Sequence, residues 1–281
     1  MFTLSFRHAL ALLPLLVVAC ASKAPAVKAP IDVTARVPQF ARVPFEPFSR
    51  VNVVAIALRE WRLFGQPVDD DPPGTRPPPA PEDKPERVPG LWQRVGEYWW
   101  LGQDPDLPES AWTGMHDQSG RVFPASRDGD YAWSAAFVSY VMRIAGAGTR
   151  FPYSPAHHTY IDIAEQMASG AAHGWVIVAE KLNAYAPLLG DLICTSRTTV
   201  PVRFEDLPAG DYPAHCDIVV QAQPGSIAVV GGNVDDAVTL KHVPVTQDGL
   251  LATPDGRVLD GRYNWFVVLR VLYDGGSIAA R

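Results

Sequence analysis

The chain has 281 residues, of which 47% are apolar, and its formal net charge is −6. An apolar share of that size supports a buried core and excludes a wholly disordered chain. No Lys/Arg run or basic stripe occurs, which excludes a nucleic-acid role.

The N-terminus reads as a targeting segment. Arg7 supplies a positive start, and residues 9–19 form an apolar stretch of signal-peptide length. That stretch is too short to span a bilayer. It ends in Leu16-Val17-Val18-Ala19-Cys20, which resembles the lipobox of bacterial lipoproteins. The resemblance implies a signal peptide over 1–19 and lipidation of Cys20; an ordinary signal peptide with a chance cysteine is the alternative. Acyl chains add about 0.8 kcal/mol per buried methylene, so several of them anchor firmly to a membrane. Ala21 follows the cysteine, which in such lipoproteins implies the periplasmic face of the outer membrane. Residues 20–47, rich in Ala, Pro, Val and Lys, read as a linker.

Residues 48–275 are expected to form one domain. Helical spacing over 48–64 places Val51, Val54, Ala55, Leu58, Trp61 and Leu63 on one face. The proline-rich stretch at about 66–90, with Asp69-Asp70-Asp71, is expected to be an exposed, partly disordered loop with a solvated acidic tip. Further helices are expected over 91–101, 130–146 and 155–167. Strands follow at 188–194, 216–220, 226–230, 238–245 and 265–273, with turn signals at Pro224-Gly225, Gly231-Gly232-Asn233 and Asp248-Gly249. Helices followed by antiparallel strands predict an α+β fold. With Cys20 set aside, Cys194 and Cys216 remain, either as a disulfide or as two buried thiols. No metal or cofactor is expected, because adjacent His157 and His158 point apart on a helix and no H-E-x-x-H, C-x-x-C or phosphate-loop spacing occurs.

Three polar positions have the types that nucleophilic catalysis uses. Ser134 lies at a helix start, where the dipole and unpaired N–H groups favour developing negative charge. His215 opens a strand and is positioned to accept the serine proton; Asn233, on the next strand, is positioned to orient it. Asp217 shares a face with His215 and is a second orienting candidate, or a salt-bridge residue. The bland alternatives are a helix cap for Ser134, a turn for Asn233 and a surface or capping role for His157.

The strings Trp133-Ser134-Ala135-Ala136-Phe137-Val138, Gly190-Asp191-Leu192, His215 at a strand start and Gly231-Gly232-Asn233 resemble the papain-like cell-wall hydrolases. These are the NlpC-type peptidases and the cysteine, histidine-dependent amidohydrolase/peptidase (CHAP) family. With the run from Phe151 to His157, Tyr160 and His215-Cys216-Asp217, the set resembles bacterial domain-of-unknown-function family 2272 over about residues 50–273. The resemblance implies a papain-like domain of NlpC/CHAP type in a cell-envelope lipoprotein. It further implies a hydrolase of peptidoglycan peptide or amide bonds, with Ser134, His215 and Asn233 as the catalytic set. Trp133, His157, Tyr160 and Asp217 would line the binding cleft. Ser134 stands where those peptidases have cysteine, and a hydroxyl needs a true general base. A catalytically inactive protein that binds peptidoglycan peptides or an envelope protein partner is the other expectation.

Overall fold

The computed structural model describes residues 46–275. The signal-peptide stretch, Cys20 and nearly all of the 20–47 linker lie outside them. Among the described residues the fold is α+β, with four α-helices and one six-stranded antiparallel sheet. The helices are α1 (Arg50–Leu63), α2 (Leu91–Gly102), α3 (Ser134–Ile144) and α4 (His157–Ser169). The strands are β1 (Ile177–Glu180), β2 (Leu192–Ser196), β3 (Ala214–Gln223), β4 (Ser226–Val234), β5 (Ala237–Pro244) and β6 (Asn264–Val271), ordered β1-β6-β2-β3-β4-β5.

Helix α1 starts where Ser49 Oγ accepts from the Asn52 N–H at 3.2 Å, satisfying one orphan donor. Its fully buried line is Val53, Ala57 and Glu60; of the face expected from the apolar spacing, Val54, Leu58 and Trp61 are half-buried against the core, whereas Val51 and Leu63 are exposed. The cause is a buried ionic knot. Glu60 accepts from Arg94 at 2.6 Å through each of its oxygens, and from Tyr98 Oη at 2.8 Å. Arg59 adds a bond to Glu60 at 2.6 Å, so the carboxylate faces inward and draws α1 onto α2. Desolvation opposes its ionisation, but these donors win and hold its pKa below the usual value.

Helix α3 is buried along Ser134–Met142 and lies against α2 and the sheet. Two glycines permit the closest approaches. A Cβ on Gly102 of α2 would sit 2.5 Å from the Ala136 carbonyl oxygen, and one on Gly232 of β4 would sit 2.5 Å from Phe137 Cβ.

The sheet buries both faces. Leu192, Cys194, Cys216, Ile218, Val230 and Leu269 pack toward the helices, whereas Ile193, Val219, Val229, Val243 and Val268 pack beneath Leu251, Ala252 and Trp265. Cys194 and Cys216 are direct cross-strand partners of β2 and β3 and form a disulfide. Strand β1 escapes a sequence reading because it has only four residues, half of them partly exposed. Gly231, Gly232 and Asn233 are not the hairpin turn but the end of β4, beside a bulge; Asp235 and Asp236, both at positive φ, make the turn.

The proline-rich stretch also departs from expectation. The Leu240 N–H donates to the Pro67 carbonyl at 3.0 Å and the Asp69 N–H donates to the Leu240 carbonyl at 2.9 Å, so Val68 bridges Leu240 and covers part of the outer edge of β5. Of the three aspartates, Asp69 is buried against Arg76 at 3.1 Å, and Asp70 accepts from the His242 backbone N–H at 2.7 Å.

Replacing Glu60 with alanine leaves Arg94 facing a low-dielectric pocket without its carboxylate. Urea unfolding of Glu60→Ala is expected to show a loss of about 3 kcal/mol or more; a loss under about 1 kcal/mol contradicts the knot as the α1–α2 tie.

Candidate functional site

Ser134 is the first residue of α3, and Trp133 occupies the cap position without capping through its side chain. The Ser134 hydroxyl therefore does not cap the helix. Its Oγ lies 2.7 Å from His157 Nε2. His157 is the first residue of α4, and its Nδ1 bonds Tyr160 Oη one turn on. The expected pairing of Ser134 with His215 is thus replaced by pairing with His157. The reason is positional: the starts of α3 and α4 converge, and the hydroxyl faces the α4 side.

His215 is committed elsewhere. Its Nε2–H donates to Asp217 Oδ1 at 3.0 Å, while Asp217 Oδ2 accepts from Lys241 Nζ at 2.7 Å. No hydrogen bond among the described residues joins Asn233 to His215. Asn233 adopts φ 56° where β4 bends away, so the orienting position falls to Asp217. This arrangement requires Gly231 opposite Asp217: a Cβ there would lie 2.0 Å from Asp217 Oδ1 and 2.9 Å from His215 Nε2.

The two histidine rings lie side by side, with centroids 5.3 Å apart. Ser134, His157 and His215 are 5%, 4% and 1% exposed. Burial pushes the His157 pKa well below its ordinary value, and the neighbouring His215 and Arg197 push the same way while Asp217 opposes. Burial lowers His215 to about 4, again against the pull of Asp217. Lys241 and His215 overcome burial to hold Asp217 well below the carboxylate range. Both imidazoles are therefore neutral at pH 7. With Nε2–H given to Asp217, His215 keeps a bare Nδ1 lone pair, which is buried and unpartnered among the described residues.

Beside this cluster opens a cleft of about 470 Å³. His215 lies at its base, with Thr195 and Arg197 from the end of β2, Asn233, Lys241 and Asn264 around it, and Asp69 of the proline-rich stretch on the far wall. Neither Ser134 nor His157 is among the residues that line it.

On the other side, Trp133 Nε1–H donates to Glu86 Oε2 at 2.6 Å. Glu86, Asp128 and Asp236 bring carboxylate oxygens within 4.8 Å of one another, the spacing of a cation site. Lys84 already bridges Asp128 and Asp236 at 2.7 and 3.1 Å, and Arg87 also pairs with Asp128, so side-chain cations fill the space that an ion would take. Sequence reasoning missed Glu86, Lys84 and Lys241 altogether. The first two sit in a stretch that reads as loop, and a lone lysine inside a strand has no motif.

Burial raises the Glu86 pKa to about 8, with Asp236 and Asp128 adding to the shift. The folded chain therefore holds a proton on Glu86 that the unfolded chain has already released above its ordinary value of 4.5. Stability falls as pH rises through that window. The variant Glu86→Gln keeps an acceptor for Trp133 but cannot ionise. Thermal melts should show its Tm rising relative to wild type between pH 5 and 8; a constant difference contradicts a protonated Glu86.

No curated protein and no solved structure matches the chain. A family described as an uncharacterized protein conserved in bacteria, DUF2272, matches residues 86–271, more than half of the chain, and that span holds Ser134, His157, Tyr160, His215, Asp217 and Asn233. The chain belongs to the DUF2272 family.

Proposed function

We propose that the chain is a hydrolase of peptide or amide bonds, acting on cell-envelope peptides from a papain-like scaffold that a lipid on Cys20 tethers to the periplasmic face of the outer membrane. The observation that carries this reading is the 2.7 Å bond between Ser134 Oγ, at the start of α3, and Nε2 of a neutral His157. Ser134 attacks the carbonyl carbon while His157 Nε2 takes its proton. Tyr160 fixes the His157 ring through Nδ1. No side chain caps the first turn of α3, so its backbone N–H groups are placed to receive the oxyanion. The imidazolium that forms on His157 is stabilised by the negative charge of Asp217. The protonated His157 then returns its proton to the leaving amine. Tyr160 is neutral where a serine hydrolase has a carboxylate, and serine proteases lose about 10⁴ in kcat when that carboxylate is neutralised, so turnover is slow.

The alternative is a non-catalytic binder of peptidoglycan peptides or an envelope protein partner. It is favoured by the burial of Ser134 and by its absence from the cleft wall.

Incubation of the chain with purified muropeptides, followed by chromatography of the products, separates the two. Ser134→Ala is expected to abolish product formation, and His157→Gln to lower it by about a hundredfold or more. Equal product from wild type and Ser134→Ala overturns the nucleophile assignment. Product from Ser134→Cys alone supports the binder, a scaffold whose chemistry has been lost.

A further inference from the structure

The charges around the cleft are matched, with one exception. Lys241 is paired with Asp217 at 2.7 Å. Arg262 is paired with Asp260 at 2.8 Å. Asp69 and Asp235 face Arg76 at 3.1 and 3.9 Å. Arg197 lines the same cleft, and among the described residues its guanidinium has no hydrogen-bond or ion-pair partner. Its charge is nevertheless felt by the catalytic cluster, since it depresses both His157 and His215. Arg197 is exposed as a residue, yet the protein around its side chain desolvates it enough to lower its own pKa.

The neutral groups beside Arg197 point the same way. The Thr195 hydroxyl and the Asn233 and Asn264 amides also line the cleft, and none has a side-chain hydrogen-bond partner among the described residues. A cationic fork ringed by unspent donors is a site for a planar, singly charged acceptor. Arginine meets a carboxylate with two parallel N–H···O bonds. A phosphate dianion fits less well, because Asp69 and Asp235 stand on the cleft wall and repel a second negative charge.

We propose that this cleft binds the C-terminal carboxylate of a peptide, with Arg197 as its anchor and Thr195, Asn233 and Asn264 as the neutral contacts around it. The site rests on the hydrolase reading only for its use: it holds a peptide end on the His215 side of the cluster and makes Arg197 a specificity residue of the reaction. Binding itself does not require turnover.

The test uses the full chain carrying Ser134→Ala in detergent, so that bound peptide is not consumed. Isothermal titration compares the acetylated peptide Ac-Lys-D-Ala-D-Ala, bearing a free carboxylate, with its C-terminal amide, and includes inorganic phosphate as a third probe. The acid is expected to bind at least about tenfold more tightly than the amide, the margin of a charge-assisted pair. Arg197→Gln should abolish that margin, and Arg197→Lys should retain part of it. Circular dichroism checks that both variants fold. Equal affinity for acid and amide, no measurable binding of either, a margin that survives Arg197→Gln, or phosphate binding tighter than the acid overturns the proposal. Absence of muropeptide hydrolysis together with an Arg197-dependent margin overturns the hydrolase reading and leaves the anchor standing.

Discussion

The buried carboxylate of Asp217 sets the terms for everything around it. An ion withdrawn from water must be paired and hydrogen-bonded, or it destabilises the fold by several kcal/mol. Asp217 meets that demand with Lys241 from β5 on one oxygen and His215 on the other. Strands β3 and β5 are thereby tied across β4, and the strand between Asp217 and Lys241 must have no side chain in the way. Gly231 supplies that gap. The same pairing decides which nitrogen of His215 carries the proton, and so leaves its Nδ1 bare. A charge that is costly to bury thus fixes register, composition and protonation state together.

Next to this ionic centre lies a neutral one. Ser134, His157 and Tyr160 are joined by hydrogen bonds from the first turns of two converging helices. The two arrangements share a boundary, where the imidazole rings lie 5.3 Å apart, but they do not share a hydrogen bond. The serine has the neutral orienting group and the second histidine has the charged one. By this division Ser134 and the open cleft belong to different halves of the site.

The architecture was readable because periodicity and turn chemistry carry it: helices before strands, five of the six strands, and the four helix positions follow from the order of apolar runs and glycine or proline breaks. What was not readable depends on long-range charge. The fully buried line of α1 follows Glu60 and its partners on α2, so apolar spacing found the half-buried flank of Val54, Leu58 and Trp61 rather than the centre of the buried face. Gly231-Gly232-Asn233 looks like a turn by composition; its glycines answer instead to Asp217 and Phe137, which only the folded chain brings near. Ser134, His157 and His215 all stand out as residue types, yet which histidine meets the serine depends on how α4 is set against α3. Lys241 and Glu86 have no local signature, because each derives its importance from residues remote in the chain.

The proline-rich stretch links two properties usually tuned apart. Its first residues occupy the outer hydrogen-bonding edge of β5, and the next ones form a wall of the cleft. Any change in this stretch that widens or narrows the cleft also alters the cover on an edge strand, whose exposed groups would otherwise recruit another chain. One short run of residues therefore both lines the cleft and guards an edge strand.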